Sequence, residues 1–220
     1  MQEPVEPAQG KSVRAFTLWG LTGCGAGALA GSVIGWPVAM TIAPALEDPT
    51  EALQAVFALA LLIAGAGAGT AMGMALRKRR VPLIAIVTAL GFPFAFLVSF
   101  MLSGLAFSWI SFSALSSLQR AAVIATVTAI TGGIFGAFAG AMLGLLLRGR
   151  RGAGCLAAGG AAGGIVAGLV MMTALEMLSR GPQMAAVTLM VGLVVSAAAV
   201  GAGLGAALGY LERSKAEGPP

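Results

Sequence analysis

Six apolar stretches, each long enough to cross a lipid bilayer as a helix, dominate this chain of 220 residues. They lie at roughly 15–43, 52–76, 82–103, 119–147, 153–177 and 183–211. A helix needs about 20 apolar residues to span the hydrocarbon core, and longer stretches are accommodated by tilting. None of the stretches alternates polar and apolar residues, and glycine is a poor strand residue. The sequence therefore predicts an all-α integral membrane protein with six transmembrane helices over residues 15–211.

Composition supports this class and excludes others. Charged residues make up only 10% of the chain and histidine is absent, whereas soluble domains carry about 25% charged residues. No phosphate-binding loop, zinc-ligand spacing or nucleophile–base pair occurs in the sequence, so we expect a protein that is not an enzyme and holds no metal or cofactor. The basic residues lie in short clusters at the ends of apolar stretches, which indicates membrane orientation rather than nucleic acid binding.

Three glycine ladders, each followed by an arginine, lie in the second, fourth and sixth stretches. Each reads GxxxGxxxGxxxR, and the members are Gly65, Gly69, Gly73 and Arg77; Gly136, Gly140, Gly144 and Arg148; and Gly201, Gly205, Gly209 and Arg213. A four-residue step places the glycines of one ladder on one helix face. Small residues let membrane helices approach closely. We therefore expect these faces to pack within the chain, with docking of a partner's helix as the alternative.

The ladders also indicate an internal repeat. They predict three tandem helical hairpins, at approximately 15–80, 81–151 and 152–213, related by an axis along the membrane normal. The odd-numbered stretches show a weaker match between Gly35-Trp36-Pro37 and Gly91-Phe92-Pro93. Both prolines are expected to kink their helices, because proline removes a backbone hydrogen bond.

The distribution of basic residues predicts the orientation in the membrane. With a cytoplasmic N-terminus, eleven of the 13 basic residues fall on one side and only Arg120 and Arg180 on the other. The positive-inside rule then makes the polar tails 1–14 and 212–220 cytoplasmic, and we expect the bacterial inner membrane. The clustered residues, which also suit the headgroups of anionic lipids, are Arg77, Lys78, Arg79, Arg80, Arg148, Arg150, Arg151 and Arg213.

Few groups within the stretches carry chemistry. Glu176 precedes Arg180 by four residues, a spacing that favours an ion pair at the surface, with an ion or partner contact as the alternative. Cys24 and Cys155 are expected to be small buried side chains, and the alternative is a thiol-disulfide carrier. A set of hydroxyls is expected at helix interfaces, or else along a polar path: Thr17, Thr22, Ser32, Thr70, Thr88, Thr126, Thr128 and Thr131.

Local signals mark several helix boundaries. Ser116 and Gln119 predict a capping box before the fourth helix, and Asp48 with Glu51 predicts a similar arrangement before the second. The segment Gly104–Leu118 mixes aromatic residues with serines, as at a headgroup boundary. It predicts an interfacial helix, and an extension of the third helix is the alternative.

A chain that is rich in packing surfaces and poor in reactive groups favours a non-enzymatic role. We expect an accessory or scaffold subunit of a larger membrane assembly, with the lipid bilayer and other membrane subunits or further copies of the chain as partners. A small transporter or channel for a neutral or weakly polar solute is the first alternative. A membrane thiol-disulfide carrier is the second.

Overall fold

A computed structural model describes residues 13–42, 49–76, 81–108, 110, 115–178 and 182–216 of the chain. Five α-helices follow one another: α1 Val13–Ile42, α2 Pro49–Ala75, α3 Val81–Ser108, α4 Ser117–Leu178 and α5 Pro182–Ala216. By length and composition, all five are able to cross a membrane. No strand occurs in the described ranges. The predicted all-α fold with membrane-spanning helices is therefore confirmed at this level.

Helix α4 contains a break that doubles it back on itself. It is 62 residues long, and Gly149 inside it has non-helical dihedrals of φ 68° and ψ −155°, a conformation that suits glycine. The arms on either side, 117–148 and 150–178, lie antiparallel: a Cβ added to Gly136 would overlap Gly160, and one added to Gly144 would overlap Gly152. The predicted fourth and fifth helices thus share one element, and the count of six separate helices is not confirmed.

The helices pack in chain order and then close on themselves. α1 contacts α2, α2 contacts α3, α3 contacts α4 and α4 contacts α5. In the α3 contact, Phe92 meets Phe135 on the first arm of α4, with ring centroids 5.6 Å apart. α5 lies against the second arm through Gly203 and Gly159, and also packs against α1. The described helices therefore form a closed ring in which the first and last helices are neighbours.

One end of this ring collects arginines. Here α1 begins, α2 ends, α3 begins, α4 turns and α5 ends, because the helices run antiparallel to their neighbours. The arginines described at this end, called the basic end below, are Arg14, Arg148, Arg150, Arg151 and Arg213. At the opposite end, the Nε of Arg120 donates a hydrogen bond to the carbonyl oxygen of Leu115 at 2.9 Å.

The predicted capping box at the start of α4 is confirmed. The backbone N–H of Ser116 donates to Oε1 of Gln119 at 2.9 Å, and the N–H of Gln119 donates to Oγ of Ser116 at 3.4 Å. α2 begins at Pro49, but Asp48 lies outside the described residues.

The interfacial helix expected from Gly104 is wrong for its first five residues. Gly104–Ser108 continue α3, because Leu105, Ala106 and Phe107 extend the apolar helix without a break in sequence. The Ser108 hydroxyl then donates to the carbonyl of Leu105 at 2.7 Å within the last turn. Trp109 and residues 111–114 lie outside the described residues.

Candidate functional site

Each glycine ladder lies against the helix that follows it around the ring. A Cβ added to the first or second glycine of any ladder would come within 3.0 Å of a backbone oxygen on that neighbour. The pairs are Gly65 with Thr88, Gly69 with Ile84, Gly136 with Gly160, Gly140 with Leu156, Gly201 with Gly20, and Gly205 with Phe16. Such contacts leave no room for a side chain, so the neighbouring backbones touch directly.

The third glycine of each ladder lies beside the same neighbouring helix at the basic end, where Gly73 meets side-chain atoms and Gly144 and Gly209 meet backbone atoms. Gly73 lies beside Val81 on α3, Gly144 beside Gly152 on the second arm of α4, and Gly209 beside Val13 on α1. All nine ladder glycines therefore face another helix of the same chain. This placement favours the packing role over docking of a partner's helix.

The residue before each ladder glycine faces the middle of the ring. One step along a helix turns the side chain by about 100°, so this residue and its glycine meet different neighbours. Met72, Leu143 and Leu208 precede the third glycines, and all three are fully buried in one core cluster. Ala68, Ala139 and Leu204 precede the second glycines and belong to the same cluster. Apolar side chains therefore fill the centre of the half next to the basic end.

Leu204 shows how tightly this centre is filled. Its Cδ2 atom lies 3.0 Å from the position of a Cβ added to Gly140 and 3.1 Å from one added to Gly160. Those glycines belong to the two arms of α4, so the Leu204 side chain of α5 inserts at the contact between the arms.

An ion pair that the sequence analysis missed joins two helices at the basic end. Arg148 Nη2 pairs with Glu212 Oε1, and the side chains are 22% and 25% exposed. Glu212 directly precedes the ladder arginine Arg213, whereas the other two ladders carry Leu76 and Leu147 at that position. A partly buried carboxylate requires a charged partner, and Arg148 supplies it. The glutamate at position 212, where the other two ladders have leucine, is the sequence feature from which this ion pair could have been predicted.

The hydroxyl groups mostly bond to their own helices. The hydroxyls of Thr17, Ser32 and Thr88 donate to the carbonyls of Val13, Ala28 and Ile84 at 2.9, 2.8 and 2.7 Å. Thr22 and Thr126 do the same from exposed positions on the outside of the ring. The donors of these hydroxyls are therefore satisfied within their own helices.

Two hydroxyl contacts do join neighbouring helices. Ser103 on α3 bonds to Thr131 on the first arm of α4, and the Ser196 hydroxyl of α5 donates to the carbonyl of Ala167 at 3.0 Å. Thr131 and Ser196 lie more than two helical turns before the second glycines of their ladders. Both are on the helix face that turns toward the centre of the ring. They lie in the half away from the basic end.

The two cysteines occupy different environments and neither forms a disulfide. Cys24 is fully buried in the core cluster, and Cys155 is half-buried with its Sγ 3.5 Å from the carbonyl oxygen of Ala207. Reactive thiols need an accessible, electropositive setting. The position of Cys24 therefore favours a packing role.

Several predicted residues lie beyond what the structure describes. Arg77, Lys78, Arg79, Arg80 and Arg180 are outside the described ranges, and the side chain of Glu176 is not among those described. The predicted pair between Glu176 and Arg180 therefore stays a prediction. Arg150, Arg151 and Arg213 are exposed at the basic end.

An open apolar groove of about 540 Å³ lies on the outer surface between the arms of α4. Its lining includes Ala125, Ala129, Ile130, Gly133 and Ile165, and the two isoleucines are largely exposed. The groove is therefore separate from the filled centre of the ring.

No group of three or more Cys, Asp or Glu side chains in the described ranges is placed to hold a metal ion. In comparisons with known proteins, no family model, curated protein or solved structure matches the chain. Function is therefore argued from the residues and their geometry.

Alanine at a ladder glycine should destabilise the protein. Gly69→Ala, Gly140→Ala and Gly205→Ala each press a methyl group onto a neighbouring backbone oxygen. Overpacking typically costs about 1–3 kcal/mol, which exceeds the gain in helix propensity of about 1 kcal/mol. Thermal unfolding in mild detergent should therefore show a lower midpoint for each variant.

Gly154→Ala is the matched control, because an added Cβ at Gly154 on α4 has no atom within 4 Å. Its midpoint should be unchanged or higher. Equal midpoints for the ladder variants and this control would show that the ladders are a consequence of composition rather than packing.

Proposed function

We propose that this chain is a non-enzymatic integral membrane protein that acts as a scaffold or accessory subunit of a larger membrane assembly. The observation that carries the proposal is the filled apolar centre, in which Met72, Leu143 and Leu208 are fully buried. A ring built in this way offers rigid outer faces and little reactive chemistry. Its partners are the lipid bilayer and other membrane subunits, or further copies of the chain.

The proposed topology has six spans, with the two arms of α4 crossing separately. The turn at Gly149 and the antiparallel contacts between the arms support this count. Three ladders with equivalent contacts support three tandem hairpins around a pseudo-threefold axis. In this proposal each ladder, packed against the helix that follows it around the ring, acts as a glycine zipper that joins one hairpin to the next.

The collection of arginines at one end supports the orientation. Arg14, Arg148, Arg150, Arg151 and Arg213 share this end, and by the positive-inside rule this supports a cytoplasmic location for it. The bacterial inner membrane is the proposed location.

The outer faces are suited to lipid or to neighbouring subunits. Large apolar side chains are exposed on several helices, among them Leu18 on α1, Ile86 on α3 and Val187 on α5. In a bilayer, close packing rather than hydrophobic burial selects which helices associate. A subunit with preformed rigid faces lowers the entropic cost of such association.

Assembly is tested by gentle purification. The tagged chain, of 21.8 kDa, is extracted from its native membranes in digitonin and analysed by size exclusion and native mass spectrometry. We expect a discrete complex that holds other subunits or further copies in fixed ratio. An unrelated multi-span protein with the same tag controls for adventitious association. Recovery of the isolated monomer alone would contradict the proposal.

A small transporter or channel for a neutral or weakly polar solute is the second candidate. The observation that favours it is the pair of half-buried hydroxyls of Thr131 and Ser196 on the central face, away from the leucine-filled half. Polar groups on a central face are compatible with a path for small hydroxylated solutes.

Solute flux into liposomes distinguishes the two candidates. If the chain is a scaffold, liposomes that contain it should shrink when glycerol is added and then regain their volume no faster than empty liposomes. A faster recovery that Thr131→Val abolishes, with exposed Thr126→Val as the matched control, would favour transport instead.

A further inference from the structure

The break in α4 places three arginines around one turn. Arg148 ends the first arm, and Arg150 and Arg151 begin the second arm on the other side of Gly149. Arg150 and Arg151 are both exposed. The proposed topology needs basic residues at this end, but it assigns no ligand to this turn.

The positive charge at the turn is not neutralised by the acidic group beside it. Among the described side chains at the basic end, Glu212 is the one carboxylate, and its Oε1 is engaged by Arg148. Arg150 and Arg151 retain their charge at the surface. An anion close to the turn therefore gains electrostatic energy, and each basic side chain near a membrane surface contributes about 1 kcal/mol.

Arg148 is engaged with Glu212 inside the ring. Its Nη2 pairs with Glu212 Oε1, and both its Nε and that oxygen are buried from solvent. The exposed guanidinium groups at the turn are therefore those of Arg150 and Arg151. Arginine binds phosphate oxygens with paired, charge-assisted hydrogen bonds, so these two side chains suit a phosphate at the surface.

The surface next to the turn is apolar, which indicates the class of ligand. Leu145 and Leu146, on the last turns of the first arm, are 54% and 38% exposed. Tyr210 on α5 is 66% exposed three residues before Arg213, at the level where tyrosines mark the membrane interface. A free phosphate ion makes no favourable contact with this apolar surface, whereas an acyl chain of a lipid packs along it.

We infer that the α4 turn binds the phosphate headgroup of an anionic phospholipid. Arg150 and Arg151 contact the phosphate from the surface, Arg148 stays paired with Glu212, and an acyl chain lies along Leu145 and Leu146. This inference rests on the proposed placement of the basic end at a membrane surface. It gives the ring a fixed lipid at the α4 turn.

Lipid titration followed by native mass spectrometry tests the site on the purified full chain. We expect phosphatidylglycerol to bind as a single tight adduct, and phosphatidylcholine and inorganic phosphate to bind much more weakly. The double variant Arg150→Gln/Arg151→Gln should weaken phosphatidylglycerol about 30-fold, from about 1 kcal/mol for each arginine. Arg148 is left intact, because removing it would leave Glu212 without its partner.

Arg120→Gln, at the opposite end of the ring, is the matched control and should bind phosphatidylglycerol as the natural chain does. Equal binding of phosphatidylcholine, or undiminished binding by the double variant, would overturn the inference. Equal binding of inorganic phosphate would assign the turn to free anions rather than lipid. The titration uses the isolated chain, so a failure to find partner subunits does not alter its outcome.

Discussion

We propose that close contact between the ladder glycines and the backbones of neighbouring helices is the interaction on which the rest of the structure depends. In lipid, helices gain little from burying apolar surface against one another, so close van der Waals contact has to hold them together. The ladders provide that contact at three seams: α2 with α3, the first arm of α4 with the second, and α5 with α1. The third seam joins the two ends of the chain and closes the ring.

Closure by glycine also explains the filled centre. When the helices approach so closely, the side chains one position before the second and third glycines turn inward and belong to one buried cluster. Leucine and methionine occupy these positions at the basic end, and they are fully buried. Where α3 meets α4, Phe92 and Phe135 pack edge to face with planes at 87°. At position 212 a glutamate replaces the leucine of the other two ladders, and its charge pairs with Arg148 from another helix.

Sequence periodicity predicted which residues share a face but not which neighbour that face meets. The four-residue steps of the ladders and the Ser116–Gln119 capping box were readable because both depend on local helix geometry. The direction of each ladder toward the following helix was not, since it depends on how the helices order themselves in space. The turn at Gly149 lies in the gap predicted between the fourth and fifth stretches, but the sequence did not predict that helix would continue up to Gly149 from both sides. Glu212 was overlooked because its role depends on Arg148, 64 positions earlier in the chain.

Disulfide trapping between the first and last helices tests the closed ring most directly. A Cβ added to Gly25 on α1 lies 3.5 Å from the Cβ of Ala198 on α5, within the range for a disulfide. With Cys24 and Cys155 replaced by alanine, Gly25→Cys/Ala198→Cys should oxidise in membranes and resist maleimide labelling until it is reduced. Gly25→Cys/Gly104→Cys, whose second site is exposed and has no neighbour within 4 Å, should form no disulfide and should label at that exposed site. Free labelling of both pairs after oxidation would contradict a ring closed between α1 and α5.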